Sequence, residues 1–74
     1  MNKTLKDLQP KESGKIAKVL GAGPTKRRLM DMGVVAGTEI YVEKKAPLGD
    51  PIEVKVRGYN LTLRQEDAKN IIME

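Results

Sequence analysis

A chain of 74 residues without cysteine or histidine excludes a disulfide framework, thiolate and imidazole metal sites, and every His-based catalytic triad. Lysine and arginine outnumber the acids 14 to 10, and the net charge of +4 favours acidic partners such as nucleic acid, phosphate groups or an acidic protein surface. Hydrophobic residues (39%) and charged residues (32%) are interspersed throughout, which predicts one small folded domain over residues 1–74 and not a disordered chain.

The opening MNKTLKDLQP lacks the apolar stretch of a signal peptide, and nowhere do ~20 apolar residues run together as a membrane span requires. A cytoplasmic location without membrane insertion is expected. Gly14 to Leu20, with Ile16, Ala17, Val19 and Leu20, reads as the first strand. A helix follows between Leu20 and Thr38, because Pro24 suits its first position and Gly33 the position just past its end. Thr25, Leu29 and Met32 fall at i, i+4 and i+7, a stripe that can cover an open barrel end and that places Met32 in the core. Met30 lies ~100° or more off that stripe and is expected to be partly exposed.

Strict alternation then marks three strands. Thr38–Glu43 turns Ile40 and Val42 inward, Ile52–Arg57 turns Ile52, Val54 and Val56 inward, and Tyr59–Arg64 turns Tyr59, Leu61 and Leu63 inward. The stiff loop APLGDP, residues 46–51, joins the first pair, and Gly58 with Asn60 tightens the second link. Gln65 to Asn70 can make one helical turn that tucks Ala68 inward before a last short strand, Ile71-Ile72-Met73. So few short strands hide their edges best in a strongly bent sheet. The expected fold is mainly β, a small SH3-like barrel of about five strands with one short α-helix between the first and second strands.

Lys26, Arg27 and Arg28 crowd the first turn of the helix, where the macrodipole is positive and each cation is unfavourable by ~0.3–1 kcal/mol before screening. Arg27 and Asp31 sit at i, i+4, but in the weaker orientation for a pair. Stability alone would not select this arrangement. The functional reading is a docking surface for an anionic group or acidic partner; the plain alternative is a solvated face with arginine stems lying over apolar surface. Met30 and Leu48, at the tip of APLGDP, are candidate exposed apolar contacts. LGAGPTKRR lacks the phosphate-loop spacing. The acids Glu39, Glu43, Asp50, Glu53, Glu66 and Asp67 alternate with Lys44, Lys55, Arg57 and Arg64, which predicts cross-strand ion pairs and no carboxylate metal cluster. No catalytic residue, metal or cofactor is expected.

Arg28-Leu29-Met30-Asp31-Met32-Gly33-Val34 followed by Gly37-Thr38-Glu39-Ile40 resembles the central motif of the FeoA family. Ala46-Pro47-Leu48-Gly49-Asp50-Pro51-Ile52-Glu53-Val54, continuing through Arg57-Gly58-Tyr59 to Leu63-Arg64 and Ala68, resembles it as well, as do Leu5-x-x-Leu8 and Gly14-x-Ile16. Ala36 stands where the family often has proline, and Lys11 where glycine is common after Pro10. The resemblance implies an SH3-like barrel and a small cytosolic accessory of the membrane GTPase permease FeoB in bacterial ferrous iron uptake, acting by protein contact. The same barrel is also found appended to metal-dependent repressors. Carried over by position, it implies docking through Lys26, Arg27, Arg28 and Met30 and through Pro47, Leu48 and Asp50. Barrels with exposed edges can associate, so a monomer is the default state only.

Two other classes compete. A small basic β-barrel that binds nucleic acid fits the charge, but single-strand binders stack bases on aromatic rings and only Tyr41 and Tyr59 are available. A module for proline-rich peptides needs an aromatic-lined groove, and the chain has no Trp or Phe.

Overall fold

The computed structural model describes residues 3–74. Six strands, β1 (Lys3–Thr4), β2 (Ser13–Val19), β3 (Glu39–Lys45), β4 (Ile52–Val56), β5 (Tyr59–Leu63) and β6 (Ile71–Met73), are joined by a 3₁₀ turn (Leu5–Asp7), helix α1 (Pro24–Asp31) and the one-turn helix α2 (Gln65–Ala68). The three alternating runs become β3, β4 and β5, and their apolar positions Ile40, Val42, Ile52, Val54, Val56, Leu61 and Leu63 are buried together. Each such side chain contributes ~1.5–3 kcal/mol when fully removed from water.

All ladders are antiparallel, in the order β1-β6-β2-β3-β4-β5. β2 bends the sheet into a barrel by changing partners midway. Its first residues, Ser13–Lys15, pair with β3, whereas Ile16–Val19 pair with β6 across a register irregularity. Ile16 sits at the bend with its backbone tied to the turn before β3: its N–H donates to Thr38 at 2.9 Å and its carbonyl accepts from Gly37 at 2.7 Å. Among the described residues no ladder joins β1 to β5, so the barrel is bent but not sealed by hydrogen bonds.

Four sequence expectations need correction. The strand count is six, because Lys3–Thr4 pairs with Ile72–Met73 at the β6 edge, and α1 therefore lies between the second and third strands. Met32 is not core but 38% exposed. Helix α1 ends in paired bonds from Gly33 N–H to the Met30 carbonyl (3.0 Å) and Val34 N–H to the Leu29 carbonyl (2.9 Å), with Gly33 at φ 101°. This left-handed cap brings Val34 back onto Leu29, and both are buried in the main cluster, so Val34 takes the place that the helical stripe assigned to Met32. Tyr59 is 62% exposed. Arg57 and Gly58, both at positive φ, form the two-residue turn between β4 and β5, and Tyr59 overhangs the barrel as the first residue after it. Finally, Lys44–Glu53 at 3.9 Å is the single ion pair among the described residues, so the alternating charges lie mostly in water.

Candidate functional site

The helix cap decides which way the cations of α1 point. Leu29 is the buried residue of the helix, so Arg27, two positions away, lies on the opposite face, Arg28 about 100° to one side and Lys26 about 60° to the other. Arg27 and Arg28 are exposed and Lys26 half-buried, and none of the three makes an ion pair among the described residues. The Arg27–Asp31 pairing that the sequence allows is not formed. Gly23, at φ 94°, starts the helix, and no acid stands in the first turn to offset Lys26 and Arg27; Arg28, expected in the first turn as well, falls in the last turn because the helix is only eight residues long.

The candidate residues divide into separate groups. Lys26, Arg27 and Met30 line one shallow depression together with Gly23 and Asp31. Met30 is 43% exposed, as its off-stripe position predicts. Arg28 faces the other way, into a depression of about 550 Å³ shared with Thr25, Asp50, Pro51, Thr62, Leu63, Arg64, Glu66 and Asp67, so it is the link between the helix and the APLGDP loop. Pro47 belongs to a different depression, with Lys44, Lys45, Pro51 and Thr62. Leu48 stands alone at the loop tip, 92% exposed.

That loop is held firmly. Ala46 N–H donates to the Pro51 carbonyl at 3.1 Å and Gly49 N–H to the Ala46 carbonyl at 2.7 Å. Asp50 is partly occupied internally: its Oδ1 accepts the Gln65 N–H at 3.1 Å, stapling the loop to the start of α2. An aspartate at the positive end of a helix is favourable there, which gives Asp50 a structural task beside any contact.

Sequence reasoning passed over Arg57, which it placed at the end of a strand. Arg57 occupies the left-handed region at φ 52°, and its side chain lies over Gly33, where an added Cβ would stand 2.6 Å from Arg57 Cδ. With Asp31, Met32 and Tyr59 it borders a depression of about 350 Å³. The spacing contained the clue: two residues ending in glycine between alternating runs indicate a two-residue hairpin turn. Among the described residues no three acids gather in a metal-holding group, and no helix is long and apolar enough to cross a membrane.

A family model described as the FeoA domain matches residues 3–74. An Fe(2+) transport protein A/Fe(2+) transporter FeoB fusion protein of Porphyromonas gingivalis (strain ATCC BAA-308 / W83) is 39% identical over 70 residues, and the match covers 95% of this chain and 8% of the fusion protein. A FeoA-like protein of Clostridium acetobutylicum is 44% identical and superposes with a TM-score of 0.86 over 99% of this chain and 85% of its own. Stenotrophomonas maltophilia FeoA, described as an SH3 domain protein and solved in complex with zinc, is 29% identical with a TM-score of 0.84 over 97% of this chain and 89% of its own. The mainly β, SH3-like class read from the alternation therefore holds, with one more strand than expected. By its motifs, its fold and the match over residues 3–74, the chain belongs to the FeoA family.

Proposed function

We propose that this chain is a non-enzymatic cytoplasmic accessory of ferrous iron uptake that acts by contact with the cytosolic part of an FeoB-type membrane GTPase permease. The observation that carries the reading is the fusion protein of Porphyromonas gingivalis, in which a region 39% identical to this chain is joined to FeoB. The uncompensated cations of α1 and the stapled loop beside them supply the means, since exposed charge on a rigid element steers an acidic partner and fixes its orientation. Such an accessory alters transport by binding one permease conformation more tightly than another.

Calorimetric titration of the chain into the purified cytosolic part of the permease tests this. Saturable binding is expected for the native chain, and roughly a tenfold or greater loss for the double variant Arg27→Glu/Arg28→Glu with an unchanged circular dichroism spectrum. No binding by the native chain overturns the function; equal binding by the variant overturns the docking face. The same titration with duplex DNA and RNA at low salt separates the nucleic-acid alternative, whose affinity falls steeply as salt is added.

A further inference from the structure

The two free edges of this sheet are built differently. Folds usually guard an edge with brevity, lysine or proline. β1 is guarded, being two residues long and carrying Lys3. β5 is not: Tyr59-Asn60-Leu61-Thr62-Leu63 has no charge and no proline, in a chain that is 32% charged. Its only ladder among the described residues runs to β4. The two-residue turn makes Val56–Tyr59 the closing hydrogen-bonded pair, so Asn60 and Thr62 turn their N–H and C=O groups away from β4. Among the described residues no backbone bond from another element reaches either one.

The space beside this edge is open. The depression lined by Thr62, Leu63 and Arg64 lies at one end of β5, and that lined by Arg57 and Tyr59 at the other. Thr25 and Arg28 of α1 and Met32 just past its end border them, so the helix stands off from the strand instead of covering it. Both ends of β5 carry an arginine. Arg57 and Arg64 are exposed and without an ion pair among the described residues. Of the nearby acids, Asp67 Oδ2 accepts the Arg64 N–H at 3.4 Å and Asp50 holds the Gln65 N–H, while Asp31 and Glu66 form no ion pair. A second copy joined antiparallel through the same edge would bring Arg57 of each chain near Arg64 of the other, a like-charge opposition that disfavours self-pairing. A strand with acidic ends meets the opposite condition.

We propose that the free edge of β5 accepts an extended segment of the partner protein as an added strand, β-branched or apolar in its middle and acidic at both ends. For the partner's identity the proposal rests on the permease-accessory reading. Main-chain bonds to Asn60 and Thr62 give the affinity in this mode of recognition, and Arg57 and Arg64, with Arg28 alongside, select the acidic ends.

The probe is a synthetic peptide of roughly seven residues, alternating valine and threonine with glutamate at each end, long enough to span from Arg57 to Arg64. Amide spectra of the native chain should shift around residues 57–64 and at Arg28, with slowed exchange at Asn60 and Thr62; a lysine-ended peptide should leave them unchanged. Thr62→Pro removes an N–H that β4 does not use and should cut peptide affinity roughly tenfold or more, whereas Thr62→Val should keep it. Arg57→Gln/Arg64→Gln, with folding checked by an unchanged circular dichroism spectrum, should also weaken binding of the glutamate-ended peptide. Failure of that peptide to perturb β5 overturns the proposal, as does a dimer in which the same amides are already protected. In the permease titration, equal binding by native chain and Thr62→Pro overturns the edge and leaves the accessory function standing. Peptide binding at β5 without any permease binding does the reverse.

Discussion

Lys11 sits at φ 71° as the third residue of the turn Gln9-Pro10-Lys11-Glu12, whose closing bond runs from Glu12 N–H to the Gln9 carbonyl at 3.0 Å. Proline second and positive φ third define a type II turn, the geometry that favours glycine at this position. The side chain strains the backbone by ~1–2 kcal/mol, and glycine would give back ~0.5–1 kcal/mol in unfolded-chain entropy. Lys11→Gly is therefore expected to stabilise by about 0.5–1 kcal/mol, a rise of a few degrees in Tm in a thermal melt. The turn forms without the glycine common in the family at this position, since Pro10 and the bonds to β3 impose it: Lys11 N–H donates to the Val42 carbonyl at 2.6 Å. A second residue-scale effect lies at Asp7. The Thr4 N–H donated to its carboxylate at 3.0 Å, then the Thr4 hydroxyl and the charges of Lys6 and Lys3, hold its pKa below the ordinary aspartate value. A carboxyl that ionises more readily folded than unfolded stabilises the fold fully above its unfolded pKa, near ~3.9, and loses that contribution as pH falls through the lower folded value. Asp7→Asn should lower the urea midpoint at neutral pH, and the gap to the native chain should narrow progressively as pH falls below the unfolded aspartate value of ~3.9.

Helix α1 shows what an element gives up for a surface. Lys26 and Arg27 stand toward the end where acids are preferred, whereas Arg28 falls in the last turn of this two-turn helix, and the structure supplies no ion-pair partner for any of the three among the described residues. Arg27→Glu should therefore raise stability by ~0.3–1 kcal/mol at low salt, an increase that shrinks as salt is added, while weakening permease binding. A loss of stability on that substitution would mean that the arginine stem packs usefully against the barrel. The same element shows how far periodicity reaches. Pro24, Leu29 and Gly33 were legible because each suits a helix position by itself, but the Leu29–Val34 closure was not, because it arises from a left-handed cap beyond the helix, where the 3.6-residue period no longer applies. β3 to β5 were legible by alternation; β1 was not, since two residues carry no period. Tyr59 fell on the correct phase for its strand and still faces water, because phase fixes the side of the sheet and not whether another element covers it.

At the scale of the whole molecule, one aliphatic cluster without Phe or Trp holds the barrel, and the surface charges add little. A chain of 74 residues has a stability of about 4–11 kcal/mol at ~0.05–0.15 kcal/mol per residue. Ile40, fully buried, sits on the central strand and pairs with Gly14 of β2 and Val56 of β4, so its truncation leaves a cavity that no loop can collapse into. Ile40→Ala should cost ~2–5 kcal/mol, a large fraction of the total. Lys44→Ala removes the 3.9 Å pair with Glu53, whose lysine side chain is 75% exposed, and should cost well under ~1 kcal/mol. Salt discriminates between the two sources of stability. If ion pairs held the fold, added sodium chloride would lower the melting temperature. With one weak pair and a net charge of +4, screening relieves self-repulsion instead, so the melting temperature should stay level or rise between low and physiological salt. Permease binding through exposed arginines should weaken over the same range, and a parallel loss of both would show that the cations serve the fold as well as the contact.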